Sequence, residues 1–438
     1  MINNKKVFIF DLDGVIINTV EFLYNSYLKF LLKYKINGSK EEFNMLNGPK
    51  IEDIIIYLKT KYKIKESESH LLEEYNGLIN SVYNKAEMVS GIEKILKILK
   101  TFNFDIALAT SSSKKNVDFI LKKFDLSHYF NVIVYGDDLS EAKPSPLIYN
   151  LVRNKIPAKT YYVIEDSVQG VIAAKAADMK IIFFNRENKK ANQSWDYQAS
   201  RTEELMNIIV KLITNIDILS VEQDLKLVVV NQPITDSQEK KDKVNLIWEE
   251  KKKNNSSVYE GNILRGISVE RKGKDVILLC SQTEYKYYLA KFSDSSLGFK
   301  INPIAISGLI TDNEGYTLIG KRRKVTSHAG HYELVPSGGV DSVEFRKQII
   351  KEFKEETGFD EEIIKRVDIS GLIFDNTESL YEIIFNIHIS KSLNLLLPSL
   401  KIGEYEEFEV IKLSEFGKII SNYEFVPLSK LIYAMIDN

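Results

Sequence analysis

The sequence predicts an α/β protein with a doubly wound parallel sheet and an inserted helical cap, followed by a second, α+β domain. Three observations lead to this prediction. The chain has 438 residues, which is more than one hydrophobic core usually supports. In its first half, short apolar runs alternate with helical patterns, as in parallel sheets covered on both faces. In its second half, strand-like runs follow one another with few long helices between them.

The strands of the first half are predicted from five apolar runs. These are KVFIFDLDG (6–14), FDIALATS (104–111), NVIVYGDD (131–138), TYYVIEDS (160–167) and KIIFFN (180–185). The helical stretch between the first two runs is far longer than one crossover helix requires, so a cap is predicted at about residues 18–90. The run RTEELMNIIVKLITNI is predicted to be the closing helix of a first domain that spans residues 1–216.

The second half begins at a boundary predicted around residues 216–222. It is expected to contain an N-terminal extension at 217–300 and a main α+β domain at 301–438. The polar stretch TDSQEKKDK at 235–243 is predicted to be a loop. The strand-like runs of this half include VILLCS, KYYLAKFS, INPIAISGLITDNEGYTLIGKRR, LYEIIFNIHIS and YEEFEVIKL.

Charge and cysteine content limit the classes of partner. The 59 Lys and Arg residues nearly balance the 61 Asp and Glu residues, which gives no electrostatic reason to expect nucleic acid or an acidic membrane. Cys280 is the only cysteine, and the first residues lack an apolar run long enough for a signal peptide. We therefore expect a soluble protein of the reducing cytoplasm, and the charge balance leaves a small anionic metabolite open as its partner. The sequence gives no indication of an oligomeric state.

Polar residues follow several predicted strands of the first half. Asp11 and Asp13 come at the end of the first run, where open α/β sheets bind their ligands. Two carboxylates one residue apart suit a divalent cation and leave one oxygen for attack. The later strand ends supply hydroxyl donors, a cation and further acids: Thr110, Ser111, Lys143, Glu165 and Asp166.

The order and spacing of these residues resemble the haloacid dehalogenase (HAD) superfamily of phosphohydrolases over residues 1 to about 215. The resemblance implies that Asp11 is the nucleophile and that Asp13 is the general acid and then the general base. It also implies Mg²⁺ held by Asp11, Asp13, Glu165 and Asp166. Thr110, Ser111 and Lys143 would bind the phosphoryl group of a small phosphorylated metabolite.

The position of the cap is similar to that in the subgroup that contains phosphoglycolate phosphatase and β-phosphoglucomutase. Mutases of this type carry a His soon after the two Asp residues and basic residues in the cap. Here DLDGVIINTVEFL has no His, and MLNGPKIEDI has Asn47 before Gly48 and only Lys50 as a nearby cation. A phosphatase is therefore favoured, with a sugar phosphomutase as the alternative.

A second motif occupies residues 338–358, GGVDSVEFRKQIIKEFKEETG. Ser342 is a candidate N-cap, Phe345, Ile349 and Phe353 form an apolar stripe, and Gly358 suits the C-terminal end of the helix. The remaining feature is a set of three acids at i, i+3 and i+4, which predicts one face able to bind hard cations. These acids are Glu352, Glu355 and Glu356.

This motif and the flanking ELVPSGGVD and EETGF resemble the Nudix box. Lys351 replaces the Arg of that box, the segment from Gly339 is two residues short, and Glu344 is the nearest counterpart of its early Glu. The resemblance implies a Mg²⁺-dependent hydrolase, with Mn²⁺ as an alternative ion, that cuts a nucleoside diphosphate derivative. Glu356 would be catalytic, and a further metal ligand would come from Glu382, Glu404, Glu406 or Glu407.

The segments LIWEEKKKNNSSVYEGNILRG and TEYKYYLAKFS look like the UDP-glucose pyrophosphatase branch of this family, which suggests a nucleotide sugar. Taken singly, Trp248, Tyr285 and Tyr288 are better explained by packing. The sequence as a whole predicts a bifunctional hydrolase, a HAD phosphatase fused to a Nudix pyrophosphatase. The alternative is a HAD phosphatase regulated by a non-catalytic, nucleotide-sensing Nudix domain.

Overall fold

The computed structural model describes residues 5–46, 48–188, 194–221, 224–234, 237–254, 260–273, 275–323, 328–401, 403–420 and 423–436. Asn47, singled out above, lies outside these residues. The chain folds into two compact units, Met1–Ile209 and Val210–Asn438. Among the described residues, no helix combines the length and the apolar composition needed to cross a bilayer.

A six-stranded parallel sheet forms the centre of the N-terminal unit, which confirms the predicted α/β class for this half. Its strand order is 3-2-1-4-5-6. The order reverses beside the first strand, and a crevice for ligands forms at such a switch point, at the carboxyl ends of the strands. The strands are β1 (Lys6–Phe10), β2 (Asp105–Ala109), β3 (Val132–Val134), β4 (Thr160–Glu165), β5 (Lys180–Phe184) and β6 (Tyr197–Ala199).

Four helices occupy the chain between β1 and the helix that precedes β2. They are α1 (Val20–Lys33), α2 (Lys40–Leu46), α3 (Ile51–Tyr62) and α4 (Glu68–Lys85). The other helices of this unit are α5 (Ile92–Thr101), α6 (Lys114–Lys123), α7 (Leu147–Lys155) and α8 (Val168–Ala176). Helix α9 (Thr202–Thr214) runs across the division between the units.

The C-terminal unit contains three sheets and six α-helices among its described residues. The strands are β7 (Ile216–Val221), β8 (Leu225–Val229), β9 (Asn262–Lys272), β10 (Asp275–Glu284), β11 (Ile304–Thr311), β12 (Tyr316–Arg322), β13 (Tyr332–Leu334), β14 (Ser337–Gly339), β15 (Ile364–Asp375), β16 (Leu380–Ile389) and β17 (Tyr405–Lys412). The helices are α10 (Gln238–Asn254), α11 (Tyr285–Ser293), α12 (Phe345–Thr357), α13 (Leu393–Leu396), α14 (Phe416–Ile419) and α15 (Pro427–Met435).

The sheets of this unit combine local and distant strands. The largest is mixed, with the order β14-β11-β16-β15-β7, and the two smaller ones have the orders β8-β10-β9 and β13-β12-β17. Helix α12 packs against β14 and β11. Because β7 pairs with β15, the residues from 216 onward belong to the second unit, and the division falls before them.

Two predictions for this half were wrong. The run KYYLAKFS lies in helix α11 and is not a strand, because its aromatic residues pack four apart, with the rings of Tyr288 and Phe292 centred 5.0 Å from each other. The stretch expected to be a loop begins helix α10 at Gln238. That helix buries Val244 and Trp248, a pair at i and i+4. The packing role expected for Trp248 is thereby confirmed.

The helix of the second motif is α12, and its predicted apolar stripe is confirmed. Phe345, Ile349 and Phe353 are buried, and Gly358 ends the helix with φ of 74°. The expected N-cap was wrong. The helix begins at Phe345, so Glu344 occupies the cap position and makes no side-chain capping bond, while Ser342 is exposed outside the helix.

Candidate active site

The end of β1 and the turn after it form the base of the site. Asp11 follows the last residue of β1, and its backbone N–H donates to the carbonyl of Ile164 on β4 at 3.1 Å. Gly14 has φ of 81°, and a Cβ at this position would lie 2.4 Å from a carboxylate oxygen of Asp166. Only glycine permits both this turn and this approach. The turn thus brings Asp11 and Asp13 beside the end of β4.

Three buried carboxylates converge at this point. One ligand oxygen from each of Asp11, Glu165 and Asp166 lies within 4.8 Å of the other two. The ammonium of Lys143 lies 2.7 Å from Asp11 Oδ1 and 2.5 Å from Glu165 Oε1, with its side chain only 2% exposed. Residues from distant parts of the chain are therefore gathered in one charged cluster.

Further hydrogen bonds hold Glu165 in place. Its Oε1 accepts from the hydroxyl of Tyr149 at 2.7 Å, and its Oε2 accepts from the hydroxyl and the N–H of Ser167. A Cβ at Gly170 on α8 would lie 2.0 Å from this carboxylate, so the glycine allows the helix to approach. Glu165 is thus fixed by α7 and α8, and Tyr149 is a site residue that the sequence did not indicate.

The charges of the cluster fit a divalent cation. Burial raises the pKa of Asp11 well above its usual range, against the attraction of Lys143. Burial also opposes the charge of Glu165, yet Lys143 and the hydrogen bonds hold the pKa of this carboxyl below its usual range. Three carboxyl groups surround one ammonium, so ionisation of all three would leave two negative charges for a bound cation to compensate. Carboxylate oxygens are the ligands that Mg²⁺ prefers.

Asp13 has a different environment. Its Oδ1 accepts from the hydroxyl of Thr19 at 2.6 Å, and its Oδ2 accepts from the hydroxyls of Ser112 at 2.6 Å and Tyr83 at 3.0 Å. Its carboxylate is not one of the three that could share an ion. Sequence reasoning missed these donors. Ser112 lies in the TSSS run that pointed to Thr110 and Ser111, but nothing in the sequence placed Tyr83 of helix α4 here.

The two predicted phosphate-binding hydroxyls lie beside the cluster. Thr110 is buried after β2, and its hydroxyl accepts from the N–H of Ser112 at 3.1 Å. The hydroxyl of Ser111 donates to the carbonyl of Gly48 at 2.5 Å. Both residues line a pocket together with Asp11, Asp13 and Lys143. Asp166 lines the same pocket, so six of the seven candidate residues of the first half lie around one cavity. The seventh, Glu165, is fully buried and joins them through its ion pair with Lys143.

The three acids of α12 are placed differently from one another. Glu356 is buried, Glu352 is half-buried, and Glu355 is exposed with an oxygen 3.8 Å from the ammonium of Lys351. Among the described residues, only the cluster around Asp11 brings three such ligand groups within reach of one ion. The three acids of α12 lie on one side of the helix but differ in burial, and their oxygens do not come close enough together to share one ion.

Glu356 belongs to a buried hydrogen-bonded chain. It accepts from the N–H of Ser337 at 3.2 Å and from the hydroxyl of Tyr405 at 3.0 Å. The same hydroxyl contacts Glu333, which pairs with Arg322 at 2.5 Å. Burial raises the pKa of Glu356 well above its usual range, against the donors at Ser337 and Tyr405. Glu333 and Tyr405 are therefore residues of interest that the sequence did not single out.

The four acids that the sequence left unranked are now distinguishable. Burial is the main cause of the raised pKa of Glu352, and of these four acids Glu404 adds to it through its negative charge. Glu382 is buried and accepts from Ser307 at 2.5 Å, whereas Glu407 pairs with Lys321 at 2.9 Å. Glu406 is exposed. Glu344, the counterpart of the early box Glu, is on the surface and pairs with Lys347 at 2.6 Å.

Known proteins resemble the N-terminal unit. Residues 8–184 match the family of haloacid dehalogenase-like hydrolases. The protein YhcW of Bacillus subtilis strain 168 is 30% identical over 190 residues, which cover 40% of this chain and 82% of YhcW. A phosphorylated carbohydrates phosphatase of Thermotoga maritima is 26% identical over 213 residues, covering 47% of this chain and 98% of that protein.

Among solved structures, a β-phosphoglucomutase of Clostridium difficile is 26% identical, with a TM-score of 0.42. The match covers 48% of this chain and 97% of the mutase. The residues matched by the family, 8–184, contain the whole cluster built on Asp11, Lys143 and Glu165. The chain belongs to the haloacid dehalogenase-like hydrolases, and it is a hydrolase that acts on phosphate esters.

Proposed function

We propose that the N-terminal unit is a phosphomonoester phosphatase that works through an aspartyl-phosphate on Asp11. The observation that carries this proposal is the position of Asp11, which touches Lys143 at 2.7 Å and shares the pocket with Asp13. The ammonium contacts Oδ1, and we assign the attack to the other carboxylate oxygen. Lys143, held by two carboxylates, also supplies positive charge for the phosphoryl oxygens.

The reaction has two steps. A carboxylate oxygen of Asp11 forms a bond to phosphorus while the bond from phosphorus to the ester oxygen breaks, and the proton of Asp13 passes to the departing alcohol. Asp13 then takes a proton from water, whose oxygen attacks phosphorus and releases Asp11 and inorganic phosphate. Ser112, Thr19 and Tyr83 hold the Asp13 carboxylate in position for both transfers.

HAD phosphatases use Mg²⁺, and the buried acids provide a suitable donor set for it. We assign its ligands to Asp11, Glu165, Asp166 and the backbone carbonyl of Asp13. When bound, the ion stabilises the negative charge that develops on the phosphoryl oxygens. Thr110 and Ser111 complete the proposed phosphate contacts, since both line the pocket next to Lys143.

A phosphatase is a better proposal than a phosphomutase. The cap residue Lys50, the nearest cation in the sequence, donates to the carbonyl of Leu139 and is not among the residues that line the pocket. A mutase must hold a second phosphate, and an unpaired phosphate in this position would lose charge-assisted hydrogen bonds. For this reason we rank the sugar phosphomutase second, after the phosphatase, as a candidate function for this unit.

For the C-terminal unit we propose a Nudix-type hydrolase of a nucleoside diphosphate derivative, such as a nucleotide sugar. The proposal is supported by the sequence of α12 and by the buried position of Glu356 between β14 and β17. Tyr405 and the N–H of Ser337 donate hydrogen bonds to this carboxylate and hold it in place. Lys351, which replaces the Arg of the Nudix box, is exposed and pairs with Glu355 instead. Because the three acids of α12 do not converge, no step through Mg²⁺ or Mn²⁺ is assigned to this unit.

The two proposed activities are chemically compatible. Cleavage of a diphosphate linkage releases phosphomonoesters, and these are the substrates of the N-terminal unit. The alternative is a C-terminal unit that binds a nucleotide without cleaving it and regulates the phosphatase. Turnover of a nucleoside diphosphate sugar that Glu356→Gln abolishes would favour the enzyme, and binding without turnover would favour the sensor.

One screen tests both units. The wild type, Asp11→Asn and Glu356→Gln are assayed with phosphate monoesters and nucleoside diphosphate sugars, with Mg²⁺ and after its removal with EDTA. We expect Asp11→Asn to lower the rate of monoester hydrolysis by more than about 1,000-fold, because it removes the nucleophile. EDTA should remove the same activity and Mg²⁺ should restore it. Full monoesterase activity in Asp11→Asn would reject the aspartyl-phosphate mechanism.

A further inference from the structure

The pocket above Asp11 is lined by two chemically different groups of residues. Toward the strand ends it is polar, with Asp11, Asp13, Lys143, Asp166 and the hydroxyls that follow β2. The helices between β1 and β2, which form the cap, contribute mainly hydrocarbon. These cap residues are Leu23, Phe43, Leu46, Ile51, Ile54 and Ile79.

The cap also contributes two aromatic rings, those of Tyr75 and Tyr83. Tyr83 directs its hydroxyl at Asp13, so its polar end belongs to the chemistry and not to the distal wall. Tyr75 is 4% exposed, and its ring packs on Phe30 with the centroids 5.0 Å apart. Together with the six aliphatic and aromatic side chains, these rings make the distal part of the cavity apolar.

Positive charge is confined to the phosphate end of the cavity. Among the described residues that line it, Lys143 is the only cation, and it already contacts Asp11 and Glu165. A second phosphate or a carboxylate on the substrate would lie among Leu46, Ile54 and their neighbours without a counter-ion. A buried charge that lacks a partner is strongly unfavourable, whereas an uncharged organic group gains from burial there.

We propose that the natural substrate is a monoester with a single phosphate and an uncharged, predominantly apolar or aromatic organic group that packs under the cap. This inference rests on the phosphatase function proposed above and narrows its substrate class. It excludes bisphosphates and esters of short hydroxy acids as preferred substrates. Esters of hydroxyl-rich sugars are also disfavoured, since the distal wall offers few hydrogen-bonding groups.

The wild-type enzyme provides the first test. Four phosphate esters of primary alcohols have similar leaving groups, so their kcat/KM values with Mg²⁺ report mainly on the organic group: benzyl phosphate, glucose 6-phosphate, 2-phosphoglycolate and fructose 1,6-bisphosphate. We expect benzyl phosphate to exceed each of the other three by about tenfold or more. Equal or higher values for either anionic ester would overturn the inference.

A charge placed in the distal wall provides the second test. Ile54 and Ile56 lie on the same helix, α3, but Ile54 is 8% exposed and lines the pocket, whereas Ile56 is 49% exposed. We expect Ile54→Lys to lower kcat/KM for benzyl phosphate at least about tenfold and to raise it for 2-phosphoglycolate. The matched control Ile56→Lys should change neither value by more than about twofold.

Failure of this inference is distinguishable from failure of the proposed function. If Asp11-dependent hydrolysis occurs but favours 2-phosphoglycolate or the bisphosphate, the phosphatase stands and the apolar substrate class is wrong. If none of the four esters is hydrolysed, or hydrolysis persists in Asp11→Asn, the proposed function is rejected and this inference with it. The ranking by the wild type decides the question even if Ile54→Lys does not fold.

Discussion

At the scale of single residues, the N-terminal site shows how position in the fold separates two neighbouring acids. Asp11 is buried against Lys143 and the other two carboxylates, whereas Asp13 is half-buried among three hydroxyl donors. The first environment suits a nucleophile beside a cation, and the second suits a group that gives and takes a proton. Two identical side chains thus support different proposed roles because their neighbours differ.

Another buried acid, Glu382 of β16, leads to a prediction about stability. Burial raises the pKa of Glu382 to about 8, even though Ser307 donates to it. Its pKa in the unfolded chain is about 4.3. The folded protein therefore keeps the proton over the range in which the unfolded chain loses it. Stability from this group is fully present below about pH 4 and is lost as the pH rises through about 8.

We expect Glu382→Gln to remove this pH dependence, because the amide oxygen can accept from Ser307 and does not ionise. The free energy of unfolding of the wild type should fall relative to the variant by about 1 kcal/mol per pH unit between about pH 5 and 8. Thermal unfolding at pH 5, 6.5 and 8 measures this. Glu406→Gln, at an exposed position on β17, is the control. A pH-independent difference between wild type and Glu382→Gln would contradict the prediction.

At the scale of secondary-structure elements, helix α4 connects the cap to the chemistry. The hydroxyl of Tyr83 lies 3.0 Å from Asp13 Oδ2 and 2.6 Å from the hydroxyl of Ser112. Burial raises the pKa of Tyr83 well above its usual range, so the hydroxyl stays protonated and able to donate. The cap therefore contributes a donor to the group proposed as general acid and base.

Tyr83→Phe removes a hydrogen bond that helps to orient Asp13, but the substitution retains the aromatic ring. We therefore expect it to lower kcat by about tenfold. KM should change little, because the ring still lines the pocket. Steady-state kinetics of monoester hydrolysis separate the two effects. Tyr57→Phe, at a more exposed position on α3, is the matched control. A large rise in KM with kcat unchanged would show that the hydroxyl binds substrate and does not position Asp13.

In the C-terminal unit, the packing of helix α12 determines which of its acids are buried. Its apolar stripe of Phe345, Ile349 and Phe353 fixes its rotation against the sheet. That rotation buries Glu356 beneath Tyr405 and leaves Glu355 in solvent next to Lys351. Residues at i, i+3 and i+4 lie on one broad side of a helix. How close each residue lies to the apolar stripe determines whether its side chain is buried or exposed.

At the scale of the whole molecule, the chain consists of two compact units with separate cores. We expect the two proposed activities to be separable. Asp11→Asn should abolish phosphate release and leave the cleavage of a nucleoside diphosphate sugar intact, and Glu356→Gln should do the reverse when a monoester is supplied. Product analysis by phosphorus NMR distinguishes these outcomes. Loss of both activities in either single variant would contradict separability.

If the two steps are consecutive, the apolar cap favours one of the two products of the first step. A nucleoside monophosphate carries an aromatic base, whereas the organic part of a sugar phosphate is a non-aromatic ring rich in hydroxyl groups. With a nucleoside diphosphate sugar, the wild type should therefore release free nucleoside faster than free sugar, and Asp11→Asn should accumulate the nucleoside monophosphate. If the wild type accumulates both monoesters, the consecutive scheme is rejected while the separate activities stand.

The sequence alone determined the parallel sheet, the positions of Asp11, Asp13, Glu165 and Asp166 at the ends of β1 and β4, and the apolar stripe of α12. These features are local, because they follow from the period of apolar residues and from motifs that lie within short segments. Lys143 was also predicted for the site, but it lies in the loop between β3 and α7. Helix α11 was mistaken for a strand because an aromatic run of nine residues fits either element until its neighbours are known.

Only the tertiary structure decided which hydroxyls hold Asp13, that Tyr149 and Ser167 fix Glu165, and that Tyr405 braces Glu356. It also gave the three acids of α12 different degrees of burial and brought apolar cap residues into the lining of the pocket that contains Asp11 and Lys143. Each of these facts depends on contacts between residues far apart in the chain. Local patterns do not record such contacts, since they form only when distant elements pack together.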